Sequence, residues 1–191
     1  MLSRVADSLY WMSRYMERVD NLARCVMLQR HFELELPEYA SSLREQLFSA
    51  FDESAAGSTE SNEVVLRRVL CDTSHGESMI STVQKARENA RIVREQISEE
   101  MWEQINELYW DMMSLSESVD DDLSIINVMR SVQKQCMAFY GTTDHTLTHH
   151  QAWHVMRLGQ RIERVDNMAR IMQCYDAIQA EQHDLDQAVE L

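Results

Sequence analysis

A chain of 191 residues, 45% of them hydrophobic, can bury a core of its own, and its composition of helix formers with only 4 Gly and 1 Pro leaves few β-sheet solutions. The formal charge of −14 opposes a phosphate backbone, so nucleic acid is not an expected partner. Arg4 and Asp7 interrupt what would have to be a continuous apolar run at the N-terminus, which argues against a secretory signal or membrane span and predicts a cytoplasmic location.

The expected fold is all-α, a multi-helix bundle forming one domain over residues 1–191. In chain order, apolar residues recur at three- and four-residue steps through Val5, Leu9, Met12, Met16, Val19, Ala23 and Val26, predicting a long first helix to about Leu36. Pro37 ends it, and a second helix is expected from Glu38 to Phe51. Residues 52–62 are small and polar and read as a mobile loop. A short helix from Glu63 to Leu70 precedes a break at 72–76, and another helix is expected from about Glu77 to Ile97. Ser98 then caps a helix to about Val119, although the full capping box is missing because Met101 stands where Glu or Gln would complete it.

The acid run Asp120, Asp121 and Asp122 reads as a solvated connection, since neighbouring carboxylates on a helix diverge by about 100° each. The next helix is expected from Leu123 to Phe139 with Gly141 as its C-cap, and a last long one from near Thr148 to about Gln182. Cys25, Cys71, Cys136 and Cys174 are widely spaced and form no CxxC pair, so buried reduced thiols are expected. The 13 Met residues and the aromatic residues at helical spacing are assigned to the core.

One feature exceeds ordinary helix patterning. Residues 17–24 read ERVDNLAR and residues 163–170 read ERVDNMAR, an internal repeat that differs at a single position. Upstream the copies diverge, with Trp11, Ser13 and Arg14 opposite Arg157, Gly159 and Gln160. On a helical projection Glu17, Asp20, Asn21 and Arg24 share one stripe with Arg14 beside it, and Glu163, Asp166, Asn167 and Arg170 form the equivalent stripe. Exposed ion pairs of this kind contribute only about 0.3–0.5 kcal/mol each, so little would hold two exposed stripes alike. The expected arrangement therefore has the stripes facing each other or a shared cleft; the alternative is two solvated faces laced by local pairs.

A third charged block, ARENAR at 86–91, carries Arg87, Glu88 and Arg91 and is expected to join the same polar centre. Such a centre either binds a phosphate or carboxylate through arginine forks or serves as a structural network. A di-metal bundle motif is not found: His150 and His154 share a face, but no carboxylate follows at ligand spacing, so no metal site is assigned. No phosphate-binding Gly-rich loop or nucleophile motif appears either.

The blocks LSRVADSLYWMSRYMERVDNLAR, ARENARIVREQISEEMWEQIN and AWHVMRLGQRIERVDNMAR resemble the bacterial alpha-E domain family over nearly the whole chain. The resemblance marks Glu17, Arg18, Glu163 and Arg164 as signature positions, with Ser13 standing where the family commonly has Gly. It also implies a setting. Members are typically encoded beside, or fused to, a circularly permuted ATP-grasp protein, often with a transglutaminase-like or protease-like neighbour. The expectation that follows is an accessory or substrate-handling subunit of an amide or peptide ligase system, with ATP and Mg held by the ATP-grasp partner and no cofactor in this chain. The alternative is a non-catalytic helical interaction module, and self-association is left open.

Overall fold

The computed structural model describes residues 1–35, 61–118 and 122–189. These form six helices and no strand: α1 (Ser3–Glu35), α2 (Asn62–Cys71), α3 (Met79–Ile92), α4 (Glu99–Ser118), α5 (Asp122–Thr146) and α6 (Gln151–Val189). The fold is all-α, as the composition predicts. The expected helix at 38–51, the expected loop up to residue 60, and Val119, Asp120 and Asp121 lie outside the described residues. Ser61 and Asn62 do not belong to that loop: the Ser61 hydroxyl caps α2 by accepting the Val64 N–H, and Asn62 is the first helical residue.

α1 occupies the middle of the bundle, packing against α3, α5 and α6, while α4 covers α3 and α5 and α2 lies against α3 and α4. Its apolar stripe, Leu9, Met12, Met16, Val19, Ala23 and Val26, is fully enclosed. The same core takes in Met79, Ile80 and Val83 of α3, Met101, Ile105 and Leu108 of α4, and Met129, Cys136 and Phe139 of α5. Side chains of this size each contribute roughly 1.5–3 kcal/mol when withdrawn from water, and the flexible Met residues fill the gaps between helices. Trp110 departs from the expected core aromatics: it points outward and is 59% exposed.

Several boundaries differ from the sequence expectations for identifiable reasons. α3 opens at Met79 because Ser78, not an earlier residue, accepts the Ser81 N–H at 3.3 Å. It closes at Ile92, five residues early, where the Val93 N–H is shared between Asn89 and Ala90 carbonyls. The following turn still buries Val93 and Ile97, so their apolar periodicity reports core contact in a non-helical segment. Ser98 does cap α4, accepting the Met101 N–H.

Gly141 does not end α5, which continues to Thr146. Thr143 and Thr146 donate their hydroxyls back to the Phe139 and Thr142 carbonyls, and burial of Phe139 and Thr143 holds the extra turns against the roughly 1 kcal/mol helix penalty of Gly. α6 begins at Gln151, three residues late, after a turn in which the His150 N–H donates to the Thr148 carbonyl. It also runs beyond Gln182, to Val189.

α6 is amphipathic in the reverse sense. The face turned to α1 carries Gly159, Gln160, Glu163 and Asn167, all buried, whereas Leu158, Val165 and Met172 on the opposite side are 54%, 70% and 61% exposed. The polar inner face meets the second buried stripe of α1, where Ser13, Glu17 and Asp20 are enclosed. Gly159 permits the close crossing, because a Cβ there would lie 2.4 Å from the Tyr10 carbonyl oxygen.

Candidate functional site

The two repeat copies meet along the α1–α6 interface, and each glutamate takes its arginine from the other copy. Arg164 grips Glu17 with two bonds, its Nε donating to Oε1 at 2.7 Å and its Nη2 to Oε2 at 3.1 Å. In the other direction the Arg18 Nε donates to Glu163 Oε1 at 2.7 Å and Arg14 Nε to Glu163 Oε2 at 2.6 Å. Forked pairs of this kind combine charge with fixed geometry, which suits them to set the register of two helices.

The exchange is not symmetric. Glu163 is sealed, with a side chain only 1% exposed between two largely covered guanidiniums. Arg14 also lies over the Trp11 ring at 5.2 Å, and Arg18 reaches Glu77, which sits just ahead of α3. For both arginines burial acts to lower the pKa, but the Glu163 bonds and charge outweigh it and raise the net value, so both stay charged. Glu17 is also buried, but its partner Arg164 is half exposed and opens to solvent. The bonds to Glu17 raise the Arg164 pKa despite partial burial.

The remaining motif residues divide between the interface and the surface. Asp20 is buried and holds Arg24 of its own helix at 3.1 Å, while the more exposed Asp166 pairs with Arg170 of its own helix at 3.2 Å and with Arg14 across the interface at 3.8 Å. Burial raises the Asp20 pKa, and the Arg24 bonds only partly counter it. Beneath this end of the centre, burial and then the Glu17 charge hold the Tyr140 hydroxyl well above its ordinary pKa, and burial followed by the Asp20 and Glu17 charges does the same to the Cys136 thiol.

Between the helices on the Glu17 side lies a cleft of about 280 Å³, lined by Glu17, Asp20, Asn21 and Arg24 of α1 and by Arg164, Asn167, Met168 and Ile171 of α6. The side-chain Nδ2 atoms of Asn21 and Asn167 are both shielded from solvent and make no hydrogen bond. Asn167 as a whole is only 4% exposed. A buried donor without an acceptor costs about 1–3 kcal/mol, so two at equivalent positions of the repeat are a notable departure.

The ARENAR block takes a different place from the one expected. Arg87 donates to Asn106 at 2.6 Å and covers the Tyr109 ring at 4.8 Å, tying α3 to α4. Glu88 and Arg91 pair with each other on the α3 surface. Their helical spacing is real, but it puts them on the faces of α3 turned to α4 and solvent. The third element of the centre is instead Glu77 with Lys85, whose ammonium donates to the Gly76 carbonyl at 2.6 Å. No local pattern marks Glu77 for that role.

Elsewhere, Trp153 donates to Asp144 at 2.9 Å and stacks on His149, with Arg157 also on Asp144, so this cluster fastens the α5–α6 turn. Among the described residues no group of three His, Cys, Asp or Glu side chains is placed to hold a metal. No described helix is long and apolar enough to cross a membrane. Cys25 and Cys136 are buried thiols, and Cys71 is half-buried with its pKa raised by burial.

Fold and site together define an all-helical domain organised by a duplicated Glu-Arg motif shared between its first and last helices. The chain belongs to the alpha-E family, a predicted alpha-helical domain with a conserved ER motif, which it matches over residues 1–190. Uncharacterized proteins of Mycobacterium bovis and Mycobacterium tuberculosis are each 24% identical to it over 183 residues, covering 84% of this chain. The match covers 21% of each of those longer proteins. No solved structure matches.

Proposed function

We propose that this chain is an accessory, substrate-handling subunit of an ATP-grasp-dependent amide or peptide ligase system. In this reading it works in the cytoplasm beside a circularly permuted ATP-grasp protein, with a transglutaminase-like protein as a further neighbour. The partner binds ATP and Mg and activates a carboxylate as an acyl phosphate; an amine then attacks the acyl carbon and phosphate leaves. This chain contributes a docking surface and a polar cleft. The observation that carries the reading is the unequal pair of Glu-Arg exchanges, one sealed and one opening onto a cleft with unsatisfied donors. A purely structural network gains nothing from an open, incompletely bonded half.

Two further observations support it. The exposed apolar row on α6 is the kind of surface that a partner covers. In the mycobacterial relatives the matching segment is about a fifth of a longer polypeptide, which accords with a domain that works alongside others.

The second reading, a non-catalytic interaction module, is favoured by Glu163, whose two oxygens are occupied by arginines and shut off from solvent. Co-purification with the neighbouring ATP-grasp protein, followed by assay of the ligated product with wild-type and Glu17→Gln chains, separates the readings. Association together with a loss of product in the variant supports the ligase role. Absence of association, or association with unchanged product, refutes it.

A further inference from the structure

The cleft on the Glu17 side has an inventory that defines its ligand. Two carboxylates, Glu17 and Asp20, and two guanidiniums, Arg24 and Arg164, leave the lining electrically neutral. All four are already engaged with each other, so neither a bare anion nor a bare cation gains a net opposite charge. What is missing is an acceptor for the Asn21 and Asn167 amides, which have no partner although both Nδ2 atoms are withdrawn from solvent. In the same lining Asp20 is a buried carboxylate whose one ion pair is with Arg24, itself 55% exposed. The volume of about 280 Å³ lies at the lower edge of the range for small-molecule sites, about 300–1,000 Å³, and so suits a small ligand.

Building on the substrate-handling reading, we infer that this cleft binds a free α-amino acid as its zwitterion. A carboxylate oxygen accepts from Asn21 and Asn167, whose amides turn about the Cβ–Cγ bond to bring Nδ2 to the cleft, and the ammonium faces Asp20. Such a ligand is neutral overall, matching the lining, and it supplies both the acceptor that the amides lack and the donor that Asp20 can use. Met168 and Ile171 form an apolar wall beside the polar floor, where a side chain of the ligand would lie. The two asparagines are equivalent positions of the duplicated motif, so the repeat places two like donors on opposite walls of one cleft.

The test is a titration followed by the side-chain amide resonances of Asn21 and Asn167 in two-dimensional nitrogen–proton spectra. L-Alanine is the probe, with propionate (no ammonium) and L-alaninamide (no carboxylate) as the comparison ligands. The expected result is a saturable shift of both amides with L-alanine and at least about tenfold weaker binding of each analogue, the factor that loss of one charge-assisted bond produces. Asn167→Leu should abolish the shift of Asn21 while leaving the unfolding midpoint equal to or above the wild-type one, because it removes a buried donor without a partner. Several results overturn the inference: no shift with L-alanine, equal binding of propionate, or a midpoint lowered by Asn167→Leu. If the amides do not respond while the ATP-grasp protein still co-purifies, the cleft assignment fails and the docking role stands. Saturable L-alanine binding without any association upholds the cleft assignment and removes the docking role.

Discussion

Replacing Glu163 with Gln is the sharpest perturbation of the interhelical centre. The carboxylate is 1% exposed and receives Arg14 at 2.6 Å and Arg18 at 2.7 Å, on side chains 15% and 17% exposed. The substitution keeps the shape but removes the buried charge that two covered cations share, and the new amide group points hydrogens toward donors. Breaking a buried pair costs about 3–5 kcal/mol, and the more exposed Glu77 beside Arg18 and Asp166 beside Arg14 offset only part of it. A chain of this size shifts its midpoint by about 2–4 °C per kcal/mol, so a fall of about 6–20 °C is expected. Glu17→Gln should cost much less, about 1–2 kcal/mol, because Arg164 is half exposed and rehydrates when released. Urea and thermal unfolding followed by far-ultraviolet circular dichroism measure both. Equal losses in the two variants, or a Glu163→Gln loss below about 1 kcal/mol, would refute the claim that one copy is the lock and the other the open half.

Three further outcomes follow from the same geometry. Gly159→Ala should destabilise by about 1–3 kcal/mol through its contact with the Tyr10 carbonyl, whereas Gly141→Ala, with nothing within 4 Å, should stabilise by about 0.5–1 kcal/mol; calorimetry of the two alanine variants gives opposite signs. Asp20 has a folded pKa above its ordinary value of 3.8, so the native state binds its proton more readily than the unfolded chain does. Its charged form therefore costs stability at neutral pH, and wild type should gain relative to Asp20→Asn as pH falls through the folded pKa toward 3.8, as unfolding at a series of pH values would show. Cys136, enclosed and held protonated, should react with iodoacetamide in peptide mass spectra only as fast as the protein opens.

Much of this arrangement is legible in the residues, and the gaps have physical causes. Helix existence follows from the periodicity of residues such as Leu9, Met12, Met16 and Val19, and the near-identity of the repeats points to contact between them. Boundaries are less readable. Val93 and Ile97 keep helical spacing in a turn because the core selects for burial, not for hydrogen-bond pattern. Gly141 has the local signature of a stop, but tertiary packing of Phe139 and Thr143 overrides a preference of about 1 kcal/mol. Within the site, projection puts Arg24 and Arg170 on the stripes with the acids. The cross-helix partners of the glutamates are instead Arg18 and Arg164, which directly follow them, together with Arg14 beside the stripe, because an arginine side chain is long enough to leave its own stripe and reach across the crossing. In place of ARENAR come the unmarked Glu77, from the turn ahead of α3, and Lys85 of α3, since only the packing angle decides which face of α3 meets α1.

The unequal fate of two nearly identical motifs follows from where their helices sit. α1 is flanked by α3, α5 and α6, so its acids Glu17 and Asp20 are buried on whichever side they point. α6 packs chiefly on α1, so Glu163 is buried by turning inward while Asp166, three residues on, emerges at the surface. The Glu163 end is then closed by Arg14, Arg18 and the Glu77 segment, with Gly159 drawing the backbones together one turn earlier. Toward the C-terminal end of the motif no glycine recurs, and a cleft lined by Asn167 and Ile171 opens between the helices. Duplication thus supplied two copies of one interaction, and their different positions in the bundle turned one into a sealed fastening and left the other bordering an open cleft.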